Sequence, residues 1–204
     1  MDKSPNPPLS AKLLEYHDLL LKWSKRINLV APSTLADAKT RHFEDSRQLL
    51  PLIPPSETGK KKIVLDIGSG AGFPGMVIAI ERPDLSVHLV ESDTKKCAFL
   101  STISRETNTP ALIHNQRIEA VGMLNDVVPD VITARALASL TDLLALTKRW
   151  WQNHPQIMLI FPKGAKAKDE VAEAQKAYDF QLKTIASTTD HLAQILVLTQ
   201  VKEL

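Results

Sequence analysis

The chain predicts an α/β fold of the Rossmann-like kind: a mostly parallel, seven-stranded sheet ending in an antiparallel hairpin, preceded by an N-terminal helical extension. Three observations predict it. From about residue 61, short β-branched runs alternate with helical stretches, the pattern of parallel strands joined by right-handed crossovers. A glycine-rich loop follows the first of those runs. The last two runs are separated only by a short polar loop containing Asp190 and His191, which reads as a hairpin.

The first ten residues, rich in proline and polar groups, read as a frayed tail. Leu13, Tyr16, Leu20, Trp23 and Ile27 then recur at helical spacing, with Glu15, Asp18, Lys22, Lys25 and Arg26 on other faces, so an amphipathic helix is expected. After Pro32, Thr34 and Asp37 form a capping-box pair that opens a second helix, which Pro51 closes. Residues 51–62 are dense in proline, glycine and lysine and read as a linker. Residues 1–60 are therefore expected to be a helical extension with its linker, and 61–204 the α/β domain.

Within that domain the strands are expected at Ile63–Ile67, Val87–Glu91, Ala111–His114, Asp130–Ala134, Gln156–Phe161, Gln181–Ala186 and Gln194–Val201. Helices are expected at Pro74–Arg82, Thr94–Thr107, Leu140–Trp151 and Lys168–Ala177, with a short turn near Ile118–Leu124.

At 204 residues, 44% of them hydrophobic and 24% charged, the chain can bury a single sizeable core, which excludes disorder and fibrous repeats. Its longest apolar runs fall far short of a membrane span. No secretory signal is evident, and Cys97 alone cannot form an internal disulfide, so a cytoplasmic protein is expected, monomeric on size. The 25 basic and 23 acidic residues leave a net charge of +2, too small to decide for or against a nucleic-acid partner.

The loop Asp66-Ile-Gly-Ser-Gly-Ala-Gly-Phe-Pro-Gly75 holds three alternate glycines, Gly68, Gly70 and Gly72, which let the backbone turn tightly and approach a ligand closely. Gly70 to Gly75 also matches the dinucleotide fingerprint, so a nicotinamide cofactor is one reading. Asp66 argues the other way: a carboxylate at the strand tip repels a pyrophosphate and suits a ligand bearing an ammonium and a sulfonium, S-adenosylmethionine, whose demethylated product is S-adenosylhomocysteine. Glu91, ending the second strand run, lies near the ~20-residue spacing at which a carboxylate receives ribose hydroxyls.

Several motifs occur in order along the chain: Trp23-Ser-Lys-Arg-Ile-Asn-Leu29, Arg41-His-Phe-Glu-Asp-Ser46, the glycine loop, Arg117-Ile-Glu119, Thr133-Ala-Arg-Ala-Leu-Ala-Ser-Leu140 and Lys163-Gly164. Together they closely resemble the RsmG (GidB) methyltransferases, which methylate guanine N7 in bacterial 16S ribosomal RNA. The resemblance implies a class I S-adenosylmethionine-dependent methyltransferase sheet, with cofactor contacts at Gly68, Phe73, Ile118, Glu119 and Arg135. Gly68 would admit the methionine moiety, Phe73 wall it, Ile118 face the adenine and Glu119 meet its edge, while Arg135 would hold the cofactor carboxylate or an RNA group. Read without the resemblance, Phe73 and Ile118 are core residues and Arg135 is equally well a surface ion pair. Two positions depart from the family's common pattern: Val30, where a Thr is usual, and Phe161-Pro162, where Ala-Leu is usual.

Absences narrow the acceptor. Methylation of pyrimidine carbon-5 needs a cysteine nucleophile, and Cys97 sits on an expected helix among Lys95, Lys96, Phe99 and Leu100, the place of a structural thiol. Exocyclic-amine methylation is usually marked by Asp/Asn-Pro-Pro-aromatic after the fourth strand, where this chain has Thr133-Ala-Arg-Ala136. Guanine N7 needs no general base, so no catalytic base is assigned.

Candidate RNA contacts are Lys25 and Arg26 with Lys22, Arg41 and His42 with Arg47, and Lys163 with Lys166 and Lys168. A local ion pair of His42 with Asp45 is the plain expectation there, a substrate-pocket role the sharper one. Phe43, Phe161 and the Trp150-Trp151 pair are the available stacking platforms, although core packing is favoured for at least one tryptophan. No metal site is expected, since the histidines show no ligand spacing with each other or with Cys97. Besides an rRNA methyltransferase, a nicotinamide-dependent oxidoreductase and a non-catalytic RNA- or cofactor-binding module remain as readings.

Overall fold

The computed structural model describes residues 8–57, 59–120 and 128–204. Seven strands form one sheet in the order β3-β2-β1-β4-β5-β7-β6. They are β1 (Ile63–Ile67), β2 (Ser86–Glu91), β3 (Leu112–Asn115), β4 (Val131–Thr133), β5 (Met158–Lys163), β6 (Tyr178–Ala186) and β7 (Gln194–Glu203). The first five pair in parallel, and β7 is antiparallel to both β5 and β6. The expected sheet and terminal hairpin are therefore present. Chain order reverses between β1 and β4, and at that switch point the strand ends diverge and leave a crevice.

Local sequence explains the strand ends. Pro162 lacks an N–H, yet it lies in β5 beyond Ile160, the last residue paired with β4, so no bond to β4 is lost there. Among the helices, α5 (Thr94–Glu106) opens where Asp93 accepts the N–H groups of Lys95 and Lys96, and α6 (Leu140–Trp151) opens where Ser139 accepts that of Asp142. The remaining α/β helices are α4 (Gly75–Glu81) and α7 (Ala167–Ala174). The expected turn near Ile118–Leu124 is a 3-10 turn over Ile118–Ala120; its remainder, like residues 1–7 of the expected tail, lies outside the described residues.

The N-terminal extension is more broken than expected. Its first helix is α1 (Ala11–Trp23), but the second is three short pieces: α2 (Pro32–Leu35), a π-helical turn over Lys39–Glu44, and α3 (Asp45–Arg47). No capping box forms. Pro32 stands in the first turn of α2, and Thr34 Oγ1 donates to Ala31 O at 2.8 Å. The extension and the sheet share one core: Leu13, Tyr16 and Leu20 of α1 are fully buried in the cluster that contains Met76, Ile78, Phe99 and Leu100. Each such side chain contributes about 2 kcal/mol of transfer free energy. The proline-rich segment joining the two parts is pinned as well, because Arg82 donates to Leu50 O, Ile53 O and Pro54 O while pairing with Asp84 at 2.7 Å. The second core cluster, on α6, buries Trp150 and Trp151.

Candidate active site

Above the ends of β1, β2 and β4 opens a cavity of about 700 Å³. The glycine loop forms its floor, and Glu91 ends β2 at its side. Glu91 is held rigidly: Oε2 accepts the Gly70 N–H and Oε1 the Asp93 N–H, both at 2.8 Å. A carboxylate has about four lone-pair sites, so both oxygens retain capacity for ligand hydroxyls. Gly68, Gly70, Phe73, Ile118, Glu119 and Arg135 all line this cavity, so the structure brings together most of the residues the sequence singled out.

Two of them stand elsewhere. Gly72 has φ +96, and a Cβ there would lie 2.7 Å from the Tyr16 hydroxyl and 2.9 Å from both Leu100 and Met76; it lets α1 close on the loop and does not line the cavity. Asp66 does not face the cavity either. Successive strand residues point to opposite sides, and this one is fully buried beneath the loop, where Oδ2 accepts the Gly75 N–H at 3.2 Å and Oδ1 has no partner among the described residues. The expected contact with a ligand cation is replaced by support of the loop from below.

Burial raises the Asp66 carboxyl to about 7, against the opposing effect of its hydrogen bonds. A carboxyl whose pKa is higher folded than unfolded lends its stability below about pH 4 and withdraws it as pH rises to about 7. Asp66→Asn, which keeps an acceptor for the Gly75 N–H, is therefore expected to gain on the wild type by about 2 kcal/mol between pH 5 and 7.5. Urea melts at the two pH values check this, and a constant difference between the proteins would contradict it.

Arg135 follows β4 and ties the site to the extension. Nη1 donates to Arg41 O and Asp45 Oδ2, each at 3.0 Å, Nη2 approaches His42 Nδ1 at 3.1 Å, and the guanidinium lies 5.1 Å from the centre of the Phe73 ring. The π-helical turn makes this possible: the Asp45 N–H reaches Thr40 O instead of Arg41 O, and Arg41 O receives Arg135. The neighbouring Ala136 is held in the left-handed region at φ 53. Such strain is concentrated at functional sites.

Because Arg135 can only donate, His42 Nδ1 must accept, which puts the His42 proton on Nε2, 2.9 Å from Thr34 Oγ1. Burial, reinforced by Arg135, lowers His42 to about 4, so it is neutral at physiological pH. The expected His42–Asp45 ion pair is absent, and each side chain holds Arg135 instead. Thr34, Asp45 and Tyr16, which donates to Ala71 O and stacks on Phe73, are site-building residues that sequence reasoning did not assign. The sequence singles out Asp45 only as an expected partner of His42, and it also lies within a motif quoted for the family resemblance.

A second cavity, of about 630 Å³, adjoins the first and shares Arg135, Ala136 and Ala138 with it. Val30 lines the first cavity and Pro162 the second, so the departures from the family's common pattern fall at both.

The candidate RNA contacts separate by exposure. Lys25 and Arg26 are exposed on the turn after α1, and Arg41 is exposed at the second cavity. His42 is buried in the wall of the first. Lys163 is half-buried with its side chain largely covered, and its ammonium is held by Ala138 O at 2.6 Å and Glu170 at 2.8 Å, so it braces the second cavity and has little freedom to meet a phosphate. None of the expected stacking platforms reaches the surface: Phe43, Phe161, Trp150 and Trp151 are all buried. Cys97 is buried, and desolvation pushes its thiol up to about 11, as a structural role requires. Among the described residues, no three His, Cys, Asp or Glu side chains form a candidate metal site, and no helix is long and apolar enough to cross a membrane.

The sheet order with its antiparallel β7, and the cavity over the glycine loop at the switch point, define a class I methyltransferase fold. Solved structures agree. An O-methyltransferase from Bacillus cereus, crystallised with S-adenosylhomocysteine, superposes with a TM-score of 0.62 at 10% identity, covering 96% of this chain and 93% of that one. Magnesium protoporphyrin IX methyltransferase from Synechocystis gives 0.59 at 12% identity over 96% and 99%. A sequence model of the GidB family, described as rRNA small subunit methyltransferase G, matches residues 9–196. Relatives with the name ribosomal RNA small subunit methyltransferase G are 45% identical in Paramagnetospirillum magneticum, over 93% of this chain and 88% of the relative, and 42% identical in Brucella anthropi, over 94% and 87%. The chain belongs to the rRNA small subunit methyltransferase G family.

Proposed function

We propose that this protein transfers a methyl group from S-adenosylmethionine to N7 of a guanine in 16S ribosomal RNA, acting as a monomer in the cytoplasm on the small subunit or an assembly intermediate. The observation that carries the reading is the first cavity itself: a glycine-floored crevice at the switch point with a fixed carboxylate at its side, in a chain of this family. Its residues suit the cofactor. Glu91 has lone pairs for ribose hydroxyls, Ile118 offers an apolar face to adenine and Glu119 an acceptor at its edge. Gly68 leaves room for the methionine moiety beside Phe73. The three hydrogen bonds of Arg135 leave other guanidinium N–H groups for a carboxylate.

When bound, the cofactor supplies an electrophilic methyl carbon: the N7 lone pair bonds to it as the carbon–sulfur bond breaks, its electron pair staying on sulfur and the positive charge passing to the purine. N7 carries no proton, so the chain's residues need supply only position and electrostatics. Recognition must avoid donating to N7, which excludes the bidentate arginine contact to O6 and N7 common in DNA readout.

Methyl transfer from labelled cofactor to small ribosomal subunits, with the modified base mapped, tests the reading. Label at guanine N7 is expected, and label elsewhere or none would overturn it. Lys25 and Arg26 are proposed to meet RNA phosphates. Replacing both with Ala should weaken RNA binding and flatten its logarithmic salt dependence by about two charges, with cofactor affinity intact. An unchanged salt slope in filter-binding assays would remove the turn after α1 from the RNA face.

A further inference from the structure

The second cavity is completed by the turn joining β6 and β7, and this turn is fastened where hairpin tips are usually free. Gln48 Oε1 accepts the Thr188 N–H at 2.6 Å, its Nε2 donates to Thr189 Oγ1 at 3.1 Å, and Thr189 Oγ1 donates to Asp45 Oδ1 at 2.8 Å. The other oxygen of Asp45 holds Arg135, so the turn and the partition between the cavities are parts of one hydrogen-bonded frame. That frame sets Asp190 at the exposed rim. Its N–H donates to Ser187 Oγ, its C=O accepts the Ala193 N–H, and Oδ1 accepts the Leu192 N–H at 2.9 Å. Beside it Leu192 is 59% exposed, an apolar face at a cavity otherwise rich in charge.

Methyl transfer requires guanine N7 to face the first cavity, where the cofactor's methyl group would lie. The Watson–Crick edge, with N1–H and the exocyclic amine, then points away from it, toward the rim. Two donors side by side are met by one carboxylate, and adenine, which has an acceptor at N1, is refused by the same group. Of the carboxylates lining the cavity, Asp45 is bound by Arg135 and Thr189, Glu170 by Lys163 and the Leu140 N–H, and Asp37 pairs with Arg41. We propose that the target guanine enters this second cavity and that Asp190 accepts from its N1–H and exocyclic amine, making Asp190 the residue that selects guanine. The inference rests on the guanine-N7 reading above.

Asp190→Asn keeps an acceptor for the Leu192 N–H, so the turn is retained, but it offers a donor where the base also donates. Reconstituted small subunits carrying guanine or inosine at the target position provide the test, inosine lacking only the exocyclic amine. The wild type should methylate the inosine substrate about tenfold less efficiently in kcat/KM. The variant should lose about 10–100-fold on guanine, no longer distinguish the two bases, and bind S-adenosylmethionine as the wild type does. Wild-type rates in the variant, or a loss of rate with the guanine preference intact, would overturn the role of Asp190 alone. No transfer to the guanine substrate by the wild type would overturn the underlying reading and this one with it.

Discussion

Gly68→Val is expected to lower affinity for S-adenosylmethionine by about a hundredfold, roughly 2.7 kcal/mol, while the protein remains folded. Gly68 has φ +64, a region that β-branched residues avoid, and its added Cβ would stand 2.7 Å from Leu137 Cδ1. Leu137 lines the same cavity as Gly68, and its terminal methyl groups are the parts free to yield. Either the valine methyls or the displaced leucine must therefore occupy space the ligand needs. Gly68→Ala, which adds the Cβ without branching, should show a smaller loss, with the backbone strain of about 1–2 kcal/mol appearing in stability. Calorimetric titration of both variants checks the ordering, and unchanged affinity in a folded Gly68→Val protein would contradict the placing of the ligand over the loop.

Arg135→Ala is expected to lower methyl transfer by about a hundredfold and thermal stability by about 2–3 kcal/mol. Removing the guanidinium leaves Asp45, His42 Nδ1 and Arg41 O without the cation that joins them, and uncovers Phe73. Arg135→Lys should rescue little, because a single ammonium cannot reproduce a planar fork aimed at several acceptors. Arg135→Ala should also raise the pKa of His42 from about 4, since the Arg135 charge is one of the influences depressing it. Single-turnover assays, thermal melts and a His42 titration by NMR give three independent readouts. Full activity in Arg135→Ala would show that the partition between the cavities is not part of the machinery.

The sheet and the cofactor crevice were legible because their signals are local. Alternating strands and helices, and glycines at one strand end, do not depend on what packs against them, and seven of the nine cofactor residues named from sequence and resemblance, Gly68, Gly70, Phe73, Glu91, Ile118, Glu119 and Arg135, line the first cavity. Orientation was less legible. A residue at a strand tip can point into a crevice or beneath it, and Asp66 points beneath. Exposure of Phe43 and Phe161 was misjudged for a related reason: spacing places a side chain on a face without saying what covers it, whereas the core packing favoured for at least one tryptophan holds for both Trp150 and Trp151. The frame around the second cavity was hidden altogether. Gln48 and Asp45 meet Thr188 and Thr189 from the opposite end of the chain, and the π-helical turn that releases Arg41 O has no periodicity of its own to read.

Whether the first cavity takes a sulfonium cofactor is tested most directly by isothermal titration calorimetry of the full chain. S-adenosylmethionine and S-adenosylhomocysteine should each bind at one site and displace one another, and NAD should give no heat. Binding of NAD with neither adenosyl compound would contradict the assignment and return the glycine loop to a nicotinamide cofactor.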